Sequence, residues 1–312
     1  MNSDALLWSV FAALVVVMMA LDLGVFHRRA RAIGFKEAAT WSGVWIGLAL
    51  GFGALVWQVR GRYSALEFFT GYIIEESLSV DNLFVFLMIF SYFAVPARHQ
   101  HNILFWGILG AMIFRAIFII AGVALIERFE WVIYAFGAIL VASGVKMALE
   151  REKRIRPEQN PVLRLVRRFM PVTEGYDSPR FFLRQGDRTY ATPLLLVLLV
   201  VETTDLVFAV DSIPAVLAIT QDRLIVYTSN ILAVMGLRAL YFALCGMMDR
   251  FHHLHYGLSV ILAFVGVKML VAHFYQIPTG IALGVVAGVL VLSVGASLLW
   301  PRKPGPDRPA TE

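Results

Sequence analysis

Long apolar blocks separated by short polar interruptions dominate the chain. Nine can be read, at roughly 5–27, 38–58, 65–93, 102–125, 131–149, 192–220, 223–246, 254–275 and 278–300. Each supplies the ~20 residues that a helix needs to cross about 30 Å of hydrocarbon. No water satisfies backbone groups at that depth, so helices are the expected spanning form. The division between the sixth and seventh blocks rests on the short polar run Gln221-Asp222-Arg223. The pattern predicts an all-α polytopic membrane protein of about nine transmembrane helices. Residues 1–300 form a single transmembrane domain, followed by a disordered cytoplasmic tail over 301–312.

Composition agrees: 59% of the 312 residues are hydrophobic and 16% charged, against about a quarter charged in soluble domains. The opening MNSDALLW has no basic n-region and its apolar block runs long, so a cleaved signal peptide is not expected. The lone Cys245 excludes an internal disulfide framework. A net charge of +5 raises the question of nucleic acid, but the placement of the basic residues answers it. Counted in alternate loops, Lys and Arg divide 19 to 4, with ten in 150–191 alone. By the positive-inside rule the 150–191 loop and the C-terminus face the cytoplasm and the N-terminus lies outside. That loop, broken by Pro157, Pro161, Pro171 and Pro179, is first a positive-inside anchor, with anionic lipid as a further partner.

Two parts of the chain resemble each other. GAMIFRAIF, with Arg115, answers AVMGLRALY, with Arg238, at an offset of 123. ASGVKM, with Lys146, answers AFVGVKM, with Lys268, at an offset of 122. Upstream, Glu75 and Asp81 stand six apart, as do Asp205 and Asp211. The order predicts a duplicated three-helix unit, repeat 1 over about 65–149 and repeat 2 over about 192–275. An odd number of helices per unit makes consecutive copies enter the membrane from opposite sides, the inverted-repeat plan of many transporters with a midplane site.

Seven acids lie inside apolar blocks: Asp22, Glu75, Glu76, Asp81, Glu202, Asp205 and Asp211. At about 2.5–3.5 kcal/mol each near a helix centre, they cost on the order of 20 kcal/mol together. The cations inside blocks are Arg115, Lys146, Arg238 and Lys268, too few to neutralise all seven. Protonation or a bound cation supplies the balance. Glu202 and Asp205 share one helix face, and so do Glu75, Ser79 and Asn82. Pro214 predicts a kink beside Asp211 that frees the Val210 carbonyl. Carboxylates backed by Ser79, Asn82, Thr203, Thr204 and Ser212 make an oxygen-only set suited to Mg²⁺, Ca²⁺ or Mn²⁺. The alternative is that the acids are neutral or salt-bridged and fix helix register. Arg115, Arg238 and Lys268 are either counter-ions of an empty site or permanent ties between the repeats. His99, His101, His252, His253 and His255 form either a loose metal-collecting surface or, more simply, interface histidines.

LDLGVFHRR, EESLSVDNLFVF, TPLLLVLLVVETTDLVFAVDSIPAVLAIT and YTSNILAVMGLRALYF resemble the TerC/Alx family of bacterial integral membrane proteins over about residues 8–275. The resemblance implies a multi-helix metal-ion transporter of the bacterial inner membrane, associated with manganese export and with tolerance to metal or tellurite stress. It places Asp22, Glu75, Asp81, Asn82, Glu202, Asp205, Asp211 and Ser212 where the family's acidic and polar motif residues stand; Glu76, Ser79, Thr203, Thr204, Arg115, Arg238 and Lys268 are expected beside them as supporting groups or counter-ions from their own positions. Manganese comes from the resemblance; the residues alone indicate a hard cation. The expected activity is export of a divalent cation, Mn²⁺ first, by alternating access, with protons as counter-ions and no permanent cofactor. An intramembrane protease would need HExxH or GxGD, and neither occurs, so no enzyme is expected. The alternative function is a membrane scaffold that loads metal onto secreted proteins or assembles a stress-resistance complex.

Overall fold

The computed structural model describes residues 3–26, 35–129, 131–149, 160–173, 175–176, 178–185, 188–245 and 254–299. Ten helices follow in order: α1 (Ser3–Phe26), α2 (Phe35–Arg60), α3 (Arg62–Tyr92), α4 (Ala97–Arg128), α5 (Val132–Leu149), α6 (Pro161–Phe169), α7 (Pro193–Leu217), α8 (Arg223–Leu244), α9 (Leu254–Val271) and α10 (Thr279–Leu299). Between α6 and α7 lies an antiparallel hairpin, β1 (Phe182–Gln185) and β2 (Arg188–Ala191). The chain is an all-α polytopic membrane protein. Among the described residues six helices, α2, α4, α5, α7, α8 and α10, are long and apolar enough to cross a membrane. In α3 the acids Glu67, Glu75, Glu76 and Asp81 lower the hydropathy, although the helix is 31 residues long.

Nine long helices fall on the nine apolar blocks, with ends shifted by a few residues. The α4 helix extends beyond its block because the polar Ala97–Asn102 run continues the helix from Pro96, which stands at the N-cap. The hairpin and α6 were not expected inside the basic loop. The hairpin strands pair from Phe182 with Ala191 to Gln185 with Arg188, and Asn160 caps α6 by accepting a hydrogen bond from the Val162 amide at 2.9 Å. The remainder of the loop over 150–159 and the tail over 301–312 lie outside the described residues.

Which side chains face outward follows the membrane solvent. Val16, Ile113, Ile117, Ile120, Val207, Val291 and Leu292 are all more than half exposed, whereas Glu75, Asn82, Asp205, Asn230 and Arg115 are buried. Apolar side chains face outward, as lipid contact requires, and these polar groups turn toward other helices, where Glu75, Asp205 and Arg115 pair with one another.

Packing couples the helices in a regular way. α3 lies along α8, α4 along α7, and α5 along α9. The α5–α9 seam is close because it is built on small residues. A Cβ on Gly137 would come within 3.0 Å of the Gly266 carbonyl oxygen, and one on Gly144 within 2.7 Å of the Ser259 carbonyl oxygen. Going up α5 from Gly137 to Gly144 goes down α9 from Gly266 to Ser259, so the pair is antiparallel. The offset of 122 carries Gly137 onto Ser259 and Gly144 onto Gly266, so the two contacts exchange when the segments are exchanged. Buried Leu140 and Leu262 lie close to the centre of the crossing.

The two ends of the bundle are tied differently. At one end Arg60 pairs with Asp4, 2.6 Å away, and with Asp222, while Arg223 meets Glu127 at 2.8 Å. Asp222 also caps α8 by accepting from the Leu224 amide at 2.9 Å. At the other end the chain after α6 folds back on the α3–α4 junction. The Tyr176 hydroxyl donates to the Phe93 carbonyl at 2.7 Å, and the Asn102 amide donates to the Pro179 carbonyl at 3.1 Å. Substituting Gly144 by Leu should separate α5 from α9 and destabilise the fold by about 1–3 kcal/mol; a lowered unfolding midpoint of the detergent-solubilised protein, with Gly43→Leu (open space around it) as the control, checks it.

Candidate functional site

Arg115 stands at the centre of the bundle with 0% exposure. It reaches this position because α4 packs along α7 and α8 and because Ala111 and Ile119, one turn to either side, are buried with it. Every hydrogen bond it makes is to another helix. Nε and Nη2 hold Asp205 of α7 side-on at 3.3 and 3.1 Å. Nη1 pairs with the Glu75 carboxylate of α3, and it also meets Asn230 Oδ1 of α8 at 3.1 Å and Ser212 Oγ of α7 at 3.5 Å. The Asn230 amide closes the ring by donating to the other Glu75 oxygen at 2.8 Å. Four helices therefore meet on one guanidinium, whose planar fork suits two carboxylates approached from different sides. With both acids ionised the cluster retains one negative charge.

Around this cluster lie single polar atoms with no hydrogen-bond partner among the described residues, although Glu76 itself is hydrogen-bonded to Tyr72. Glu202, one turn before Asp205, rests its carboxylate against Gly110 of α4, where any Cβ would collide with it; its Oε2 is buried and unbonded. Glu76 Oε2, Ser79 Oγ and Asn82 Nδ2 are likewise buried and unbonded. The Glu76 carboxylate lies on the α8 side, 4.0 Å from the position a Cβ of Gly236 would take. Desolvating such atoms costs about 1–3 kcal/mol each, so a face that leaves several unbonded is suited to a visiting polar ligand.

The remaining sequence-predicted residues go elsewhere. Asp211 turns toward α5 and accepts a hydrogen bond from Ser143 Oγ at 2.7 Å. α7 runs through Pro214 to Leu217 without interruption. The hydroxyls of Thr203 and Thr204 donate back to Leu199 O at 2.7 Å and Val200 O at 2.6 Å, and Thr203 also accepts from the Asn160 amide at 2.7 Å. They serve their own helix rather than the Arg115 cluster. Lys268 donates to the Ala218 carbonyl at 2.9 Å, so it caps α7 and does not reach the acids bonded to Arg115. Arg238 is buried on α8, eight residues beyond Asn230. The side chains of Asp22 and Asp81, and His252 and His253, lie outside the described residues. His99 bonds the Tyr176 carbonyl at 3.0 Å and His255 the Met147 carbonyl, the interface role rather than a metal-collecting one. Among the described residues no three His, Cys, Asp or Glu side chains converge as a metal cage; Arg115 occupies the space between Glu75 and Asp205.

Sequence reasoning missed Asn230, Ser143 and Gly110. Asn230 carried a signal, an amide deep in an apolar block and inside the motif YTSNILAV. Ser143 and Gly110 carried none, since small residues are common wherever membrane helices approach.

Comparison with known proteins agrees on one family. The model of the integral membrane protein TerC family matches residues 60–304. An uncharacterized membrane protein of Myxococcus xanthus is 51% identical, covering 95% of this chain and 93% of that one. A protein of Escherichia coli K12 with the provisional name membrane-bound redox modulator Alx is 50% identical, with 92% of each chain covered. An uncharacterized membrane protein of Rickettsia bellii is 38% identical over 94% of this chain and 97% of that one. No solved structure matches the chain.

Replacing Arg115 by Met leaves two carboxylates buried around an apolar side chain. The expected loss is about 3–5 kcal/mol, and the triple variant Arg115→Met, Glu75→Gln, Asp205→Asn should recover most of it. Thermal unfolding midpoints in detergent measure both.

Proposed function

The chain belongs to the integral membrane TerC family, and from that premise we propose that it is a transporter that moves a hard divalent cation, Mn²⁺ first, out of the cytoplasm. The observation that carries the reading is Arg115 bonded to two acids from two different helices, Glu75 and Asp205, at full burial. A guanidinium held there balances the carboxylates while no cation is present. A divalent ion competes for the same oxygens, and when it binds, Arg115 is displaced. The unbonded oxygens of Glu202, Glu76 and Ser79 are further hard ligands of the kind such an ion requires. Ligands of this kind favour Mn²⁺, Mg²⁺ and Ca²⁺ over zinc or copper.

Alternating access is supported by the exchange symmetry of the bundle. Glu75 and Asp205 occupy corresponding places in the two repeats, and so do the seam residues of α5 and α9. This favours an inverted pair of three-helix units rocking about the cluster. The 19-to-4 distribution of basic residues supports a bacterial inner-membrane protein with its C-terminus in the cytoplasm. Protons are the proposed counter-ions, because carboxylates released by the metal titrate more readily than arginine. The name of the Escherichia coli relative includes redox modulation; the sequence here has a single cysteine, which offers no dithiol couple within it.

The test is metal uptake into inverted vesicles or liposomes containing the purified protein, with Mn²⁺, Mg²⁺, Ca²⁺ and Zn²⁺ in competition. Mn²⁺ flux is expected to fall at least tenfold in Asp205→Asn, equivalent to about 1.4 kcal/mol or more at the barrier. Undiminished flux in Asp205→Asn overturns the reading, and a wild-type protein that binds Mn²⁺ without moving it favours the scaffold role.

A further inference from the structure

One buried acid has no part in the cluster around Arg115. Glu67, in the second turn of α3, is 8% exposed, and its carboxylate accepts hydrogen bonds from Thr220, in the α7–α8 connection, and from Tyr63. Lys268 of α9 stands beside it, 8% exposed, with its ammonium fixed on the Ala218 carbonyl at 2.9 Å. Asp222 is the other charged neighbour, held in turn by Arg60, which also carries Asp4. α10, which packs on α3 as well, has no titratable residue.

Glu67 is in register with the Arg115 cluster. On α3 the positions Glu67, Gly71, Glu75, Ser79 and Asn82 follow i, i+4, i+8, i+12, i+15, one stripe of the helix surface, and all five are buried. Between Glu67 and Glu75 the stripe is lined by Gly71 and, opposite it, Ser229 Oγ of α8, 2.9 Å from where a Cβ of Gly71 would stand. Beyond Glu75 it continues through Ser79 Oγ and Asn82 Nδ2, both buried without a partner. Eight residues at ~1.5 Å put Glu67 roughly 12 Å along the axis from Glu75. One turn further out, Tyr63 is 65% exposed, so the stripe ends at the surface.

We infer that this face of α3 is the route of ion passage, and that Glu67 is its outer station, a proton-exchanging carboxylate that neither the cluster around Arg115 nor the family motifs include. The inference rests on the transport reading. The ligand is a proton rather than the metal. Glu67 offers one carboxylate and two hydroxyl neighbours, fewer oxygens than the six or more a hard divalent ion takes, and Lys268 already contributes a positive charge. The step balances simply. A proton from water beside Asp222 is taken up by the Glu67 carboxylate and passes along the stripe to a carboxylate of the cluster as the metal leaves it, and Glu67 returns to its ionised form. Lys268, held by a backbone carbonyl, keeps its proton and stays in place.

Two measurements test this in a Cys245→Ser background. The first reads the route without reference to any transported ion. Glu67→Cys and Ser79→Cys in membrane vesicles should react with a hydrophilic methanethiosulfonate at least tenfold faster than Ile74→Cys and Leu83→Cys, which are buried on the same helix. Equal rates overturn the route. The second is Mn²⁺-driven proton movement, followed with a pH dye inside liposomes. Glu67→Gln, or Glu67→Gln with Lys268→Met should the single variant fail to fold, is expected to lose at least tenfold of the proton signal while Mn²⁺ binding in detergent is retained. An unchanged proton signal makes Glu67 a structural partner of Lys268 and overturns its role. A wild-type protein that shows thiol access along the stripe yet no Mn²⁺ flux overturns the manganese reading and leaves the route standing; one with Mn²⁺ flux and no proton movement overturns the proton station.

Discussion

A guanidinium buried to 0% exposure must keep its acids, and the centre of this bundle is organised by that constraint. Arg115 takes its partners from three other helices, so α3, α4, α7 and α8 cannot separate there without stranding a charge. Its bonds are directional, and they fix the rotation of each helix about its own axis as well as its distance. Apolar packing alone does not do this in lipid, where one Leu-covered face is as acceptable as another. The same arrangement is unfinished. Two acids share one cation, and further oxygens stand nearby with nothing to bond. The cluster orders the protein around two acids that share a single cation.

That combination separates two roles that a sequence shows as one. Glu75 and Asp205 join helices and also belong to the site; Asp211, six residues from Asp205, turns to Ser143 on α5 instead. Thr203 and Thr204 sit between Glu202 and Asp205 and look like ligands in the sequence, yet their hydroxyls return to their own backbone. In a helix a Thr hydroxyl always has the carbonyl of the preceding turn within reach, and only a stronger acceptor draws it away.

Much of the architecture was legible in the amino-acid sequence because membrane helices announce themselves by length. The nine apolar blocks and the nine long helices agree within a few residues at most ends. The polar stripe of Glu75, Ser79 and Asn82 was also legible, since periodicity alone places residues on a face. Partner choice was not. Nothing in the spacing distinguishes Arg115, which meets Glu75, from Lys268, which meets a backbone carbonyl, because the pairing depends on how far one helix slides along another. The hairpin after α6 escaped notice for a related reason: two four-residue strands leave a weak alternating pattern against the charge of the surrounding loop.

Asn160 links the surface to the interior. Its side chain caps the short basic helix α6 and at the same time grips Thr203, the residue after Glu202. The exposed Leu165 and Phe169 of α6, set among Arg164, Arg167 and Arg168, give that helix the composition of one that rides in lipid headgroups. α6 and the turn of α7 that carries Glu202 therefore share one side chain, and neither can shift far from the other without giving up a hydrogen bond that Asn160 makes.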